Sequence, residues 1–427
     1  MSNASQPEAA STASSDRTGT IAIVAGTVVS ALSVYLYQVI AGRTLGTEGF
    51  APIGIIWTVS FLVFTVLNIP VEQYLTRRLT LGGGTWLPDR QAVITAAAPL
   101  VAGIILGTVF VAATLDRFFE GAVVFVPIAA ALLVVRSALT LGRGFLAGRR
   151  RFIAYGVIVA LEGVALVVLA AVVATSWAST AAFATVLVIA PLVVVLARPL
   201  STSVDMPVLS TTISAGSGFL GALIIATAAS QLILAAEPIV VGFIGGSATA
   251  VSVIFVTFTL FRGPVTSAYN LIARVLPDFT AMAAAGDEQR LNSWAERIGL
   301  AGLGAAVLFG LSGWLLGPAV VEFLYGAEFA PAQRVAALAA AAVGFALASL
   351  FLNQIYVGRG ETGRLAVIWV TALIAAGAAL FISSAQPMER VAFAFFVGEA
   401  TAIVLLVAVT VIPHRGSQRA SAQRPME

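Results

Sequence analysis

Runs of about twenty apolar residues, separated by short polar interruptions, make up almost the whole chain. They fall near 20–41, 50–70, 92–114, 122–143, 152–174 and 178–197, then near 213–236, 248–272, 295–317, 335–357, 365–384 and 391–412. A run of that length, at roughly 1.5 Å of helical rise per residue, crosses a hydrocarbon core about 30 Å thick. Lipid offers no partners to backbone N–H and C=O groups, so each spanning segment must satisfy its own, which predicts helices. The pattern predicts an all-α, polytopic membrane protein with about twelve transmembrane helices. The seventh run has no clean end. It continues through Glu237-Pro238 toward Ile244, with the proline as a kink.

The polar interruptions are uneven in charge. With the N-terminus in the cytoplasm, Arg17, Arg77, Arg78, Arg90, Arg143, Arg149, Arg150, Arg151, Arg198, Arg290, Arg297, Arg359 and Arg364 fall on the inner side, as do the tail arginines. Only Arg43, Arg117, Arg334 and Arg390 fall outside. This positive-inside bias predicts an inner-membrane protein with an even number of spans and both termini cytoplasmic. The residues before the first span, 1–18, are rich in Ser, Ala and Thr and are expected to be a disordered tail. The first run is too long for a signal-peptide core and lacks a basic segment before it, so it is read as a retained helix. Residues 413–427 form a short basic tail suited to rest on anionic lipid.

Composition narrows the chemistry. Charged residues make up 10% of the chain, hydrophobic ones 59%, and mean hydropathy is +1.00; soluble domains carry about 25% charged residues. With no cysteine, disulfides and thiolate metal sites are excluded; the one histidine, His414 in the tail, argues against histidine relays, and no metal or cofactor is expected. All 23 basic residues are arginine. There is no lysine and hence no Walker-type phosphate loop, and Gly82-Gly83-Gly84 reads as a flexible loop. A net charge of +3 does not point to nucleic acid.

The halves echo one another. Val39-Ile40-Ala41-Gly42-Arg43-Thr44-Leu45-Gly46 follows the first span, and Ile239-Val240-Val241-Gly242-Phe243-Ile244-Gly245-Gly246 follows the seventh. Ala147-Gly148-Arg149 and Val357-Gly358-Arg359 repeat the order after the fourth and tenth. This predicts two six-helix lobes, 19–200 and 201–412, related by a parallel repeat, with a transport site between the halves.

Three segments carry a family resemblance: Gly42-Arg43-Thr44-Leu45-Gly46-Thr47-Glu48-Gly49-Phe50-Ala51, Glu237-Pro238-Ile239-Val240-Val241-Gly242-Phe243-Ile244-Gly245-Gly246, and Arg274-Val275-Leu276-Pro277. With the span count, they make the chain resemble the oligosaccharidyl-lipid/polysaccharide branch of the MOP flippase superfamily over roughly 19–412. The resemblance implies two lobes around a cavity that alternates between membrane faces. It also implies polyprenyl-diphosphate-linked glycan as substrate, with glycosyltransferases or a polymerase of the same pathway as partners. Members of that family often carry aspartate where Glu237 stands.

Charges within spans are the candidate site residues, because one charge at a helix centre costs about 2.5–3.5 kcal/mol on insertion scales. Arg136 and Glu162 flank the turn at Arg149 by thirteen residues each, which places them at one depth of an antiparallel hairpin. They form an ion pair within one lobe, or Arg136 faces the cavity and meets a diphosphate. Arg262, before Gly263-Pro264, contacts substrate or pairs with a carboxylate on the seventh or twelfth span. Glu399 binds a coupling cation or proton, or neutralises an arginine. Glu237 acts at a gate or is solvated, and Asn270 lines a wet path or joins helices. Substrate binding is thus assigned to Arg262, Arg136, Glu162 and Asn270, and coupling or gating to Glu399 and Glu237. Two alternatives remain: a cation-coupled multidrug exporter of the same superfamily, and a non-transporting scaffold for envelope synthesis. A membrane glycosyltransferase would need a large extramembrane loop, which the chain lacks.

Overall fold

The apolar runs fold as helices in a computed structural model, which describes residues 6–72, 90–148, 151–196, 217–382 and 384–411. The chain is an all-α, multi-pass membrane protein. α1 (Gln6–Val63) holds the first two spans and passes into a π-turn at Phe64–Asn68. Gly46 breaks it, with φ 68° and ψ 179°, a conformation that side-chain-bearing residues avoid. Then come α2 (Arg90–Ala113), the single turn α3 (Leu115–Phe118), α4 (Phe125–Gly148), α5 (Phe152–Ser176) and α6 (Thr180–Leu196). The second half holds α7 (Ser217–Ala235), α8 (Glu237–Phe243), α9 (Ala248–Phe261), α10 (Gly263–Ala284), α11 (Glu288–Tyr325), α12 (Gln333–Arg359), α13 (Thr362–Ile382) and α14 (Pro387–Val411). Each of the twelve runs overlaps one of these helices or a broken pair. Seven described helices are individually long and apolar enough to cross a membrane, and α7 with α8, bent by 66°, makes an eighth. The α7–α8 bend is the kink expected at Glu237-Pro238.

α1 starts at Gln6, inside the stretch 1–18 read from the sequence as a cytoplasmic tail. The basic tail 413–427, the loop at 82–84 and the expected lobe boundary at 200/201 lie outside the described residues.

Packing divides the chain into two units. The first is Met1–Ser214 with Pro238–Val256 and Val321–Ala330, and the second is Ala215–Glu237, Thr257–Val320 and Pro331–Glu427. In the first unit α1 lies against α5 so closely that the Ala22 carbonyl occupies the place of a β-carbon on Gly156. Small residues let helices approach in lipid, where dispersion replaces the hydrophobic drive. Elsewhere in this unit Phe50 packs between Phe255, tilted at 57°, and Phe329, edge-on at 78°, with centroids 5.8 and 5.9 Å away. The Ser252 hydroxyl donates to the Thr47 carbonyl. Arg43 Nε donates to the Leu324 carbonyl at 2.7 Å, and Arg117 Nε to the Gly242 carbonyl at 2.8 Å. Both arginines thus satisfy carbonyls at helix C-termini, which have no intrahelical donor.

The second unit is built around the deeply buried α12, which packs on α10 and α14. Tyr356 donates to the Leu406 carbonyl at 2.8 Å, and Phe258 lies 5.3 Å from Phe395. Trp369 donates to Asn353, an interhelical bond of the kind expected for such polar residues.

Candidate functional site

The first unit carries a charge cluster beside a cavity. Arg136 and Arg143 lie seven residues apart on α4, two helical turns, so they share a face. Glu162 on α5 meets both: Arg136 Nη1 is 3.0 Å from Oε1, and Arg143 Nη2 holds Oε2. The Arg136–Glu162 pairing expected from the hairpin is therefore present. Arg143, which the sequence reading counted only among the inner-side arginines, is a third member. Its distance from Arg136 was the available signal, since an i, i+7 spacing puts two arginines against one acceptor. Arg143 is also within electrostatic reach of Glu72, whose carboxylate accepts the Tyr155 hydroxyl at 2.9 Å.

The three charged residues line a cavity of about 200 Å³; a water needs roughly 10–15 Å³ on that scale. Trp57, Phe61, Phe64, Leu166 and Pro191 form apolar parts of the wall. Both Nε–H groups, of Arg136 and Arg143, are buried without an acceptor. Donors exceed acceptors here.

A cluster around Arg262 in the second unit has the opposite arrangement. Pro238 has no N–H, so the Leu234 carbonyl one turn earlier loses its helical donor. Arg262 Nη1 supplies one at 2.6 Å, and its Nε reaches the Phe258 carbonyl at 3.2 Å. Arg262 itself sits at the break between α9 and α10, where Gly263-Pro264 interrupts the helix as expected. Its guanidinium binds backbone at a broken helix and the Thr259 hydroxyl, and the residue is buried. Substrate contact by Arg262 stays a proposal.

Glu237 opens α8 and is 3% exposed, so it is not the solvated residue allowed by the sequence. Glu399 on α14 is 1% exposed. Neither oxygen of Glu237 has a partner on another residue, and Glu399 Oε2 also lacks one. Glu237 is within electrostatic reach of both Arg262 and Glu399. Acceptors exceed donors in this cluster. The described residues hold no group of three or more potential protein metal ligands of the His, Cys, Asp or Glu kind. Asn270 lies on α10, and its side chain is outside the described residues.

No protein-family model and no curated protein matches the chain. Solved structures do. An inward-facing multidrug resistance MATE family transporter of the MOP superfamily is similar with a TM-score of 0.58 and 16% identity, over 91% of this chain and 94% of the other. A point mutant of the Vibrio cholerae MATE transporter VcmN has a TM-score of 0.58 and 14% identity, over 97% and 99%. An outward-facing MATE structure has a TM-score of 0.54 and 16% identity, over 94% and 96%. The chain has the fold of these transporters.

Proposed function

We propose that this chain is a cation-coupled membrane transporter. It flips polyprenyl-diphosphate-linked oligosaccharide across the cytoplasmic membrane by alternating access and catalyses no chemical reaction. The carrying observation is the pair Glu237 and Glu399, buried beside a broken span, of which both Glu237 oxygens and Glu399 Oε2 accept no hydrogen bond from another residue. An ionised carboxylate costs several kcal/mol to bury without compensation. Such a pair is suited to take and release a proton or a metal cation, and interrupted helices are where transporters hold coupling ions. The resemblance of the sequence to polysaccharide flippases supports the cargo, as do the two guanidiniums on the cavity wall of the first unit. Both termini then face the cytoplasm, as the arginine distribution predicts.

A second reading, export of cationic drugs, is favoured by solved neighbours described as multidrug resistance transporters. Proteoliposomes under an imposed sodium or proton gradient separate the two. The proposed transporter accelerates flipping of a fluorescent lipid-linked saccharide, and Glu399→Gln returns the rate to its no-gradient value. Gradient-driven efflux of a cationic dye without saccharide flipping establishes the second reading instead. Saccharide flipping that is indifferent to both gradients, and equal in Glu399→Gln, removes the coupling role.

A further inference from the structure

Glu162 serves two guanidiniums with one carboxylate. A guanidinium offers five N–H donors, and a buried donor left unmade costs free energy. Here Arg136 and Arg143 each keep an unpaired buried Nε–H, beside a cavity with room for more than water. The two arginines are not equivalent. The Arg136 side chain is 23% exposed and that of Arg143 12%. Arg143 also has Glu72 within electrostatic reach. The network therefore has a loose member and a held member on one carboxylate.

We propose that Glu162 is a displaceable internal counter-ion for a phosphate-bearing amphiphile that enters this cavity. The phosphate takes Arg136 from Glu162, and Glu162 stays compensated by Arg143. One charge-assisted pair replaces another, so no ion is left bare in the membrane. The apolar wall at Trp57, Phe64 and Leu166 receives the first carbons of the chain that carries the phosphate. A cationic amphiphile faces two guanidiniums and is rejected. The proposal rests on the anionic-cargo reading above and identifies, within the first unit, the subsite where the phosphate docks.

The test is equilibrium binding to the full chain in nanodiscs of neutral lipid, without any ion gradient. Geranyl phosphate, inorganic phosphate and geranylamine are the titrants. Geranyl phosphate should bind more tightly than inorganic phosphate, and geranylamine should not bind. Arg136→Ala should abolish binding and Arg136→Lys should keep part of it, since lysine retains charge but loses the fork. Glu162→Gln removes the competitor and should tighten geranyl phosphate binding about tenfold, roughly 1.4 kcal/mol. If that variant does not fold, Glu162→Asp, whose shorter side chain loosens the bridge to Arg136, should tighten it in the same direction. Unchanged binding in Arg136→Ala, or weaker binding in the folded Glu162 variant, overturns the exchange. Equal affinity for inorganic phosphate overturns the apolar half of the subsite, and preference for geranylamine overturns the whole. Because no gradient is applied, a failure here leaves the coupling role of Glu399 standing. Loss of gradient-driven flux with binding intact would sink the transport reading and leave the subsite.

Discussion

Two charge clusters, one in each unit, solve the problem of buried charge in opposite ways. In the first, one carboxylate is shared by two arginines and the unpaired groups are donors, the Nε–H of Arg136 and of Arg143. In the second-unit cluster, Arg262 is bound to backbone carbonyls and the unpaired oxygens are on Glu237 and Glu399, whereas Arg359 elsewhere in that unit pairs with Glu288 and keeps unpaired Nε–H and Nη1–H groups. A surplus of donors suits an anion and a surplus of acceptors suits a cation. The contrast teaches that a count of charged residues in spans says little about their partners. What decides is whether each arginine is claimed by a carboxylate or by a helix end. Arg262 is claimed by the end that Pro238 creates, and Arg390 by the Leu380 carbonyl near the end of α13.

Removing the shared carboxylate should have the largest effect. Glu162→Leu leaves two guanidiniums without it, and breaking a buried pair costs about 3–5 kcal/mol. Thermal unfolding in detergent should show a large loss, or the variant should not accumulate. Replacing only Arg136 and Glu162 by apolar residues should not restore stability, because Arg143 remains bare of its carboxylate. Replacing Arg143 as well should restore most of it. Full recovery in the double replacement would show that Arg143 does not depend on Glu162.

A sharper probe addresses the second unit. Arg262→Ala leaves the Leu234 carbonyl without a donor, at a cost of about 1–3 kcal/mol. Pro238→Ala returns the missing N–H, so the double variant should recover stability relative to Arg262→Ala alone. A double-mutant cycle by thermal unfolding measures the coupling. Additive losses would mean that Arg262 does not act through the helix end. If the double variant is stable and yet does not flip saccharide, the substrate contact expected from the sequence is restored.

The smallest effect is expected in the first unit at Arg43, whose hydrogen bonds to the end of α11 are exposed. Arg43→Ala should cost about 0.3–1 kcal/mol, typical of a cation at a helix C-terminus. A loss as large as that at Glu162 would mean that helix-end arginines outweigh the buried pair.

Much of this molecule is written along the chain. The length of each apolar run set the helices, Glu237-Pro238 marked the α7–α8 break, and Gly263-Pro264 marked the break after Arg262. The Arg136–Glu162 contact was legible because helical rise converts distance from a tight turn into depth, and the two residues are equidistant from it. Membrane burial of Glu399 was legible for the same reason. The partners of Arg262 and the proximity of Glu237 to Glu399 were not. Glu237 and Glu399 come from spans far apart in the chain, Arg262 binds a backbone carbonyl of the preceding span rather than a carboxylate, and hydropathy measures depth but carries no record of which helices are neighbours or how each is rotated about its axis. In lipid every face of a span is apolar enough to be outside, so the polar stripe that orients a helix in water is faint. Only the packed tertiary structure decided which carboxylate met a guanidinium and which was left without one.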